Sequence, residues 1–208
     1  MAAADPAPIV AALLAEKVTT SFGSPAIWGK LADHCERRGL GLPALRRVLI
    51  AGAPVPDGLL EQLRRIAPQA QVHTPYGATE CLPVSTIAAG ELLANHRETS
   101  RRGEGTCVGR AVEGVAIKVI REVDGPIRTL AEATPCAPGE IGEIIATGPS
   151  VTRAYHRLPE ATAAAKIADG ERVWHRMGDL GALGADGLLR FLGRRAERVR
   201  TASGDLPT

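Results

Sequence analysis

Five consecutive residues, Tyr76-Gly77-Ala78-Thr79-Glu80, bring an aromatic ring, a hydroxyl and a carboxylate together at the end of an apolar run that begins at Gln71. The ring can cover a purine face, and the Thr79 hydroxyl can donate to a phosphate oxygen. Glu80 offers a hard oxygen to Mg²⁺, an ion usually held by one or two carboxylates plus substrate phosphates. Gly77 lets the backbone approach a ligand where a Cβ would intrude. A structural reading fits the same residues, with Tyr76 as a core aromatic and Thr79-Glu80 opening a helix. Farther on, Asp179 stands in a Gly178-Asp179-Leu180 step expected at a strand end. There a short carboxylate can accept from both hydroxyls of a ribose or close an Asx turn.

The elements that must position these residues begin with helices and strands in alternation. Asp5 caps a helix bearing Pro6, Ile9, Val10, Leu13 and Leu14, and Val18–Phe22 reads as a strand. Ser24-Pro25 starts a helix with Ile27, Trp28 and Leu31 that ends near Gly39. A strand over Leu45–Gly52, a helix bearing Leu59, Leu60, Leu63 and Ile66, and the strand from Gln71 follow. This order predicts an α/β fold with a parallel sheet, whose ligands gather at the carboxyl ends of strands. Gly52-Ala53-Pro54 and Tyr76–Glu80 both stand at such ends, although Gly52 also suits an ordinary tight turn.

From Ile87 the composition shifts, and Asn95–Thr106 reads as a polar loop carrying His96 and Arg97. Strands are expected over Val115–Ile120 and Ile141–Ala146, a helix over Glu160–Ile167, and an Asp186-Gly187 hairpin between Leu180–Leu183 and Leu188–Leu192. The expected division is an α/β half over 1–106, a β-rich half over 107–192 and a hinge segment over 193–208.

With 45% hydrophobic residues, 23% charged residues and a formal charge of +2, the composition is that of an ordinary globular chain. It gives no reason to expect a nucleic-acid partner. Cys35, Cys81, Cys107 and Cys136 stand far apart, without zinc-ligand spacing, and Cys81 reads as buried filler. The N-terminal apolar run lacks the basic residues of a secretory signal, and no window has the ~18 apolar residues of a membrane span. A cytoplasmic location is expected.

Four ordered stretches resemble the adenylate-forming superfamily of acyl-CoA synthetases, peptide-synthetase adenylation domains and luciferases. Tyr76–Glu80 resembles its nucleotide loop, and Gly139–Ile144 its structural Gly-Glu strand. Trp174–Leu180 is similar to its Thr-Gly-Asp motif, with Met177 in the Thr place, and Gly193–Arg200 to its Gly-Arg hinge. Val108–Ala111 resembles a Val-Gly-x-Pro turn whose Pro is replaced by Ala111. The resemblance implies that Gly52, Ala53 and Pro54 lie against adenine and that Tyr76 and Gly77 help to bind the nucleotide. It further implies that Asp179 and Arg194 take the ribose, that Thr79 and Glu80 serve catalysis at phosphate, and that Glu80 ligates Mg²⁺. The superfamily reaction joins a carboxylic acid to the α-phosphate of ATP, giving an acyl adenylate and pyrophosphate.

Within that superfamily, His73–Pro83 and Ala196–Thr201 look most like the olefin β-lactone synthetases. These activate a 2-alkyl-3-hydroxy acid and close it through its own hydroxyl, without coenzyme A. A fatty-acyl-CoA ligase, which would use coenzyme A, shares every motif quoted. The superfamily's lysine-bearing phosphate loop and lid lysine have no counterpart in the 208 residues. Little adenylation by the chain alone is therefore expected, with a separate chain as one source of the missing segments, and Lys30, Lys118 and Lys166 as candidate substitutes. Two further readings stay open: a non-catalytic nucleotide-binding remnant, and a generic α/β binding module.

Overall fold

The computed structural model describes residues 5–98, 102–197, 199–201 and 204–206. Of the expected hinge segment, positions 198, 202, 203, 207 and 208 lie outside the described residues. The chain divides into two compact units, Met1–Pro75 with Ile87–Arg97 and Tyr76–Thr86 with Glu98–Thr208.

The first unit alternates α1 (Pro6–Ala15), β1 (Thr20–Gly23), α2 (Pro25–Arg38), β2 (Arg47–Ile50), α3 (Asp57–Ile66) and the start of β3 (Gln71–Ala78). Its caps follow from side-chain chemistry. Asp5 accepts from the Ala7 N–H at 3.0 Å, Ser24 from the Ile27 N–H at 3.3 Å, and Gly39 ends α2 in the left-handed conformation. Strands β1, β2 and β3 pair in parallel, as the alternation predicts. Trp28, Leu31 and Cys35 of α2 are buried, as are Val48 and Ile50 of β2 and Leu59, Leu60, Leu63 and Ile66 of α3. The polar stretch expected as a loop from Asn95 instead begins helically, with α4 (Ala89–Glu91) running into a π-helical turn, Leu92–His96. Arg97 anchors it, with Nε 2.9 Å from Asp57 and Nη1 2.8 Å from Glu61, both on α3.

In the second unit an antiparallel sheet runs in the order β4-β5-β10-β9-β7-β6, with β8 on β9. The strands are β4 (Cys81–Ala88), β5 (Thr106–Ala111), β6 (Ala116–Ile120), β7 (Ile141–Thr147), β8 (Lys166–Asp169), β9 (Arg172–Leu183) and β10 (Leu189–Arg194). Helix α5 (Pro159–Ala165) precedes β8, and the short strands β11 (Val199–Thr201) and β12 (Gly204–Leu206) pair with each other. Both faces of the sheet carry core. Ile144, Ala146 and Met177 pack with Cys81, Val84 and Leu189, whereas Ile145 and Trp174 pack with Ile120, Ile127 and Ile167. This two-sided burial explains the Ile144-Ile145-Ala146 run of β7, whose one charged residue, Glu143, is buried beside Arg176.

Two local expectations are corrected. Val108–Ala111, expected as a turn, is extended within β5, because Ala111 and Arg110 pair with Ser85 and Thr86 and the Ser85 hydroxyl donates to the Val108 carbonyl at 2.8 Å. The helix expected to reach Ile167 ends at Ala165, since Lys166 and Ile167 pair with His175 and Trp174 as β8. Tyr76–Thr86 falls in the second compact unit, where β4 is bonded to β5.

Candidate functional site

Tyr76 and Gly77 lie inside β3 rather than in a loop, and only Thr79-Glu80 connects β3 to β4. The dipeptide thus closes a hairpin and opens no helix. A Cβ on Gly77 would stand 2.6 Å from the Cys81 carbonyl oxygen and 2.8 Å from Leu82 Cδ1. The returning strand therefore demands glycine there, whatever a ligand requires. Thr79 is exposed at the tip, and Cys81 is buried in the core with its thiol pKa raised by that burial.

Asp179 stands within the 12-residue strand β9, not at its end as expected. His175, Met177 and Asp179 alternate along the strand, which sends them to one face. Two irregularities then surround the aspartate. The β7–β9 register shifts between Glu143 and Ile145, and the β9–β10 register shifts between Phe191 and Gly193. Gly178 has φ +67, a conformation that L side chains rarely adopt. Bulges of this kind re-aim side chains beside functional sites.

The result is a buried carboxylate, 3% exposed, held from two sides. Tyr76 donates its hydroxyl to Oδ2 at 2.6 Å, and the Tyr76 ring meets Phe191 at 5.9 Å between centroids. Arg194, the cross-strand partner of Asp179, places Nη1 3.0 Å from Oδ1. That approach is an ion pair without hydrogen-bond alignment, so Oδ1 is buried and has no hydrogen-bond donor. Burial raises the Asp179 pKa, while Tyr76 and Arg194 pull it back. The Tyr76 phenol is pushed well above its ordinary value by burial and by the adjacent carboxylate. Tyr76 and Arg194 are thus both in direct contact with Asp179.

Glu80 is held by a second group of residues. Tyr155 donates to its Oε1 at 2.7 Å, and His175 Nε2 lies 4.0 Å from Oε2. Lys166 Nζ is 3.1 Å from His175 Nδ1 and donates to the Thr152 hydroxyl at 3.0 Å, and the Thr152 N–H donates to the Glu80 carbonyl at 2.8 Å. The Tyr155 hydrogen bond lowers the Glu80 pKa, while burial and Glu80 push the Tyr155 phenol up to about 12. Burial lowers both Lys166 and His175, with Lys166 adding to the effect on the histidine. Sequence reasoning missed Thr152, Tyr155 and His175 and left Lys166 as a spare cation. One signal was present, since the chain has only two tyrosines and both end on a candidate carboxylate.

For a divalent cation the donor set fits in part. Glu80 is an ionised carboxylate whose side chain is 26% exposed. Among the described residues no group of three or more His, Cys, Asp or Glu could hold a metal ion. One carboxylate supplemented by phosphate oxygens matches how Mg²⁺ is commonly bound. Gly52, Ala53 and Pro54 form an exposed turn after β2 in the first unit, with Gly52 at φ +93. That geometry satisfies the tight-turn reading.

Residues 1–156 fit the profile of the AMP-binding enzyme family. The chain belongs to that family. Among its AMP-binding relatives, an olefin β-lactone synthetase of Stenotrophomonas maltophilia is 46% identical over 213 residues, covering 100% of this chain and 38% of the relative. A second, from Xanthomonas campestris, is 44% identical and is covered over 37% of its length. The chain therefore spans under two fifths of these relatives. The solved structure of Bacillus subtilis O-succinylbenzoate coenzyme A synthetase in complex with ATP and magnesium ion superposes with a TM-score of 0.72 at 26% identity. The match covers 96% of this chain and 36% of that one. No helix among the described residues is long and apolar enough to cross a membrane.

Proposed function

We propose that this chain is the nucleotide-binding portion of an ATP-dependent, AMP-forming enzyme that activates a fatty or 2-alkyl-3-hydroxy acid as its acyl adenylate, leading to a β-lactone. The observation that carries the reading is the Asp179 carboxylate, buried between Tyr76 and Arg194 with one oxygen lacking a hydrogen-bond donor. Buried acceptors are normally satisfied, and a ribose hydroxyl is the donor such a site would take. The 46% identity to an olefin β-lactone synthetase over the whole chain favours the lactone branch.

In this reading Asp179 and Arg194 orient the ribose, Tyr76 and Gly77 border the nucleotide, and Thr79 donates to phosphate. Glu80 would hold Mg²⁺, which supplies neutralisation of phosphate charge. The Gly52-Ala53-Pro54 turn keeps the adenine-facing role that the resemblance gives it. Attack of the acid's carboxylate on the α-phosphorus forms one P–O bond and releases pyrophosphate. The substrate's own hydroxyl then closes on the acyl carbon and expels AMP, and positioning and charge stabilisation are the protein's share of the work. The cytoplasm is the compartment this reading implies. Pyrophosphate exchange by the 208 residues alone should be weak, since neither a lysine-bearing phosphate loop nor a lid lysine lies within them.

The test is calorimetric titration of a nonhydrolysable acyl-adenylate analogue into the chain and into Asp179→Ala. Binding that the aspartate change abolishes is the expected result. Equal binding by both proteins, or by neither, would refute the assignment. With substrate acid and ATP, β-lactone formed without coenzyme A supports the lactone branch, and strict coenzyme A dependence would replace it with a fatty-acyl-CoA ligase.

A further inference from the structure

Lys166 is 8% exposed, and no ion-pair partner for it is found among the described residues. Its Nζ lies against the Thr152 hydroxyl, the His175 ring nitrogen Nδ1 and, at 5.6 Å, the Tyr155 ring. An ammonium carries donors only, so Nδ1 of His175 must accept from it and the ring proton must sit on Nε2. Nε2 is the nitrogen that faces Glu80. The Ala165 carbonyl, 3.3 Å from Nδ1, would take the ring proton in the other tautomer. Lys166 thus selects between two arrangements of His175, and only one presents an N–H to the carboxylate. Tyr155 approaches the opposite oxygen, its own N–H capped by the Thr162 hydroxyl at 3.0 Å.

We propose that Tyr155, His175 and Lys166 are positioning residues that bracket Glu80, aiming its carboxylate from the β3–β4 turn toward a divalent cation that arrives with phosphate. The inference rests on the nucleotide-binding reading and adds to it the residues that orient the ligand. The bracket acts through Glu80: His175 Nε2 lies 4.0 Å from one carboxylate oxygen, and Tyr155 donates to the other at 2.7 Å. Such outer partners commonly set metal affinity by about 10- to 100-fold without ligating.

The first readout needs neither metal nor activity. Nitrogen-15 NMR of the 208-residue chain should show His175 as the Nε2–H tautomer. Lys166→Met should shift it toward Nδ1–H, and Lys166→Arg should restore it. An Nδ1–H ring in the parent chain, or no change on Lys166→Met, overturns the bracket.

The second readout is Mn²⁺ binding, followed by electron paramagnetic resonance with a nonhydrolysable ATP analogue, beside metal-free AMP binding by calorimetry. Tyr155→Phe removes one oxygen and should weaken Mn²⁺ about tenfold while AMP affinity stays within twofold. His175→Phe should do the same, and His175→Gln, which keeps a donor toward Glu80, should recover most of the loss. Unchanged Mn²⁺ affinity in Tyr155→Phe, or a parent that binds AMP but gains nothing from Mn²⁺, would refute the bracket and leave the nucleotide reading standing. A parent that binds no AMP would sink both.

Discussion

Strand β9 carries one member of each of two arginine–carboxylate pairs, three residues apart: Arg176 with Glu143, and Asp179 with Arg194. The first is closed. Arg176 donates from Nε and Nη2 to the two Glu143 oxygens at 3.0 and 2.6 Å, and its remaining valences go to the carbonyls of Val123, Gly125 and Ala164. Both side chains are at most 5% exposed. The second is open. Asp179 is as deeply buried, yet Arg194 is 54% exposed and one carboxylate oxygen has no aligned donor. A fully satisfied buried network rigidifies a fold, whereas a half-satisfied one has valence left for a ligand. The contrast separates a pair closed on itself from a pair that keeps an unmet acceptor, the place where the proposed nucleotide would bind.

The sharpest way to break that contrast is to open the closed pair. Glu143→Ala leaves the buried Arg176 guanidinium without its counter-ion, whereas Arg195, whose Nη1 lies 3.7 Å from Glu143, keeps Glu122 and Asp124. Removing one partner of a buried pair costs about 3–5 kcal/mol, so urea denaturation should show a loss of that order. A loss under about 1 kcal/mol would mean that the network does not carry the fold. Asp179→Asn should behave in the opposite way. The native pKa of Asp179 is raised above the ordinary 3.8, so the stability linked to it is full below that value and is lost as pH rises through the native value. Stability at neutral pH should therefore hold or rise on substitution. AMP affinity should fall by about 1.5–3 kcal/mol for the lost charge-assisted bonds. An Asp179→Asn protein that unfolds readily and binds AMP normally would reverse the assignment of the two pairs.

Much of this was legible in the residues. Alternating capped helices and apolar strands gave the parallel arrangement of the first unit, because caps and periodicity are local properties. Asp186-Gly187 gave the β9–β10 hairpin for the same reason. Long-range pairing was not legible. Val108–Ala111 has turn-like composition, but Ser85 and Thr86 draw it into β5. Lys166 and Ile167 continue a helical pattern, but His175 and Trp174 claim them for β8. The motif around Tyr76 named candidate chemistry without showing that its hydroxyl reaches a residue 103 positions away. The residues behind Glu80 were hidden for a further reason. Lys166, His175 and Tyr155 act only through proximity, and no spacing in the chain encodes their contact.

Smaller changes sharpen the comparison. Tyr76→Phe keeps the ring against Phe191 and removes the one hydrogen bond made to Asp179 Oδ2. Leaving a buried carboxylate oxygen without its donor costs about 1–3 kcal/mol. Affinity for AMP should fall less than in Asp179→Asn, and the Asp179 pKa, followed by carboxyl-carbon NMR, should rise further. An unchanged pKa would mean that Tyr76 does not support the carboxylate.

The smallest expected effect is a slope. His175 is depressed below its ordinary 6.5 by burial and by Lys166, with Glu80 opposing. A depressed base is neutral in the native state and charged in the unfolded one just below 6.5. The stability it supports is therefore full above that pH and is lost as pH falls through the native value. Since one pKa unit is worth about 1.4 kcal/mol, the slope cannot exceed roughly that amount per pH unit. His175→Gln does not titrate, so its denaturation midpoint should fall less than the parent's between pH 7 and pH 5. Parallel curves would place the protonated imidazole in the folded protein, where Nδ1 could no longer accept from Lys166. The lysine–histidine–glutamate order behind the turn would then be lost, while the Asp179 site would stay as it is.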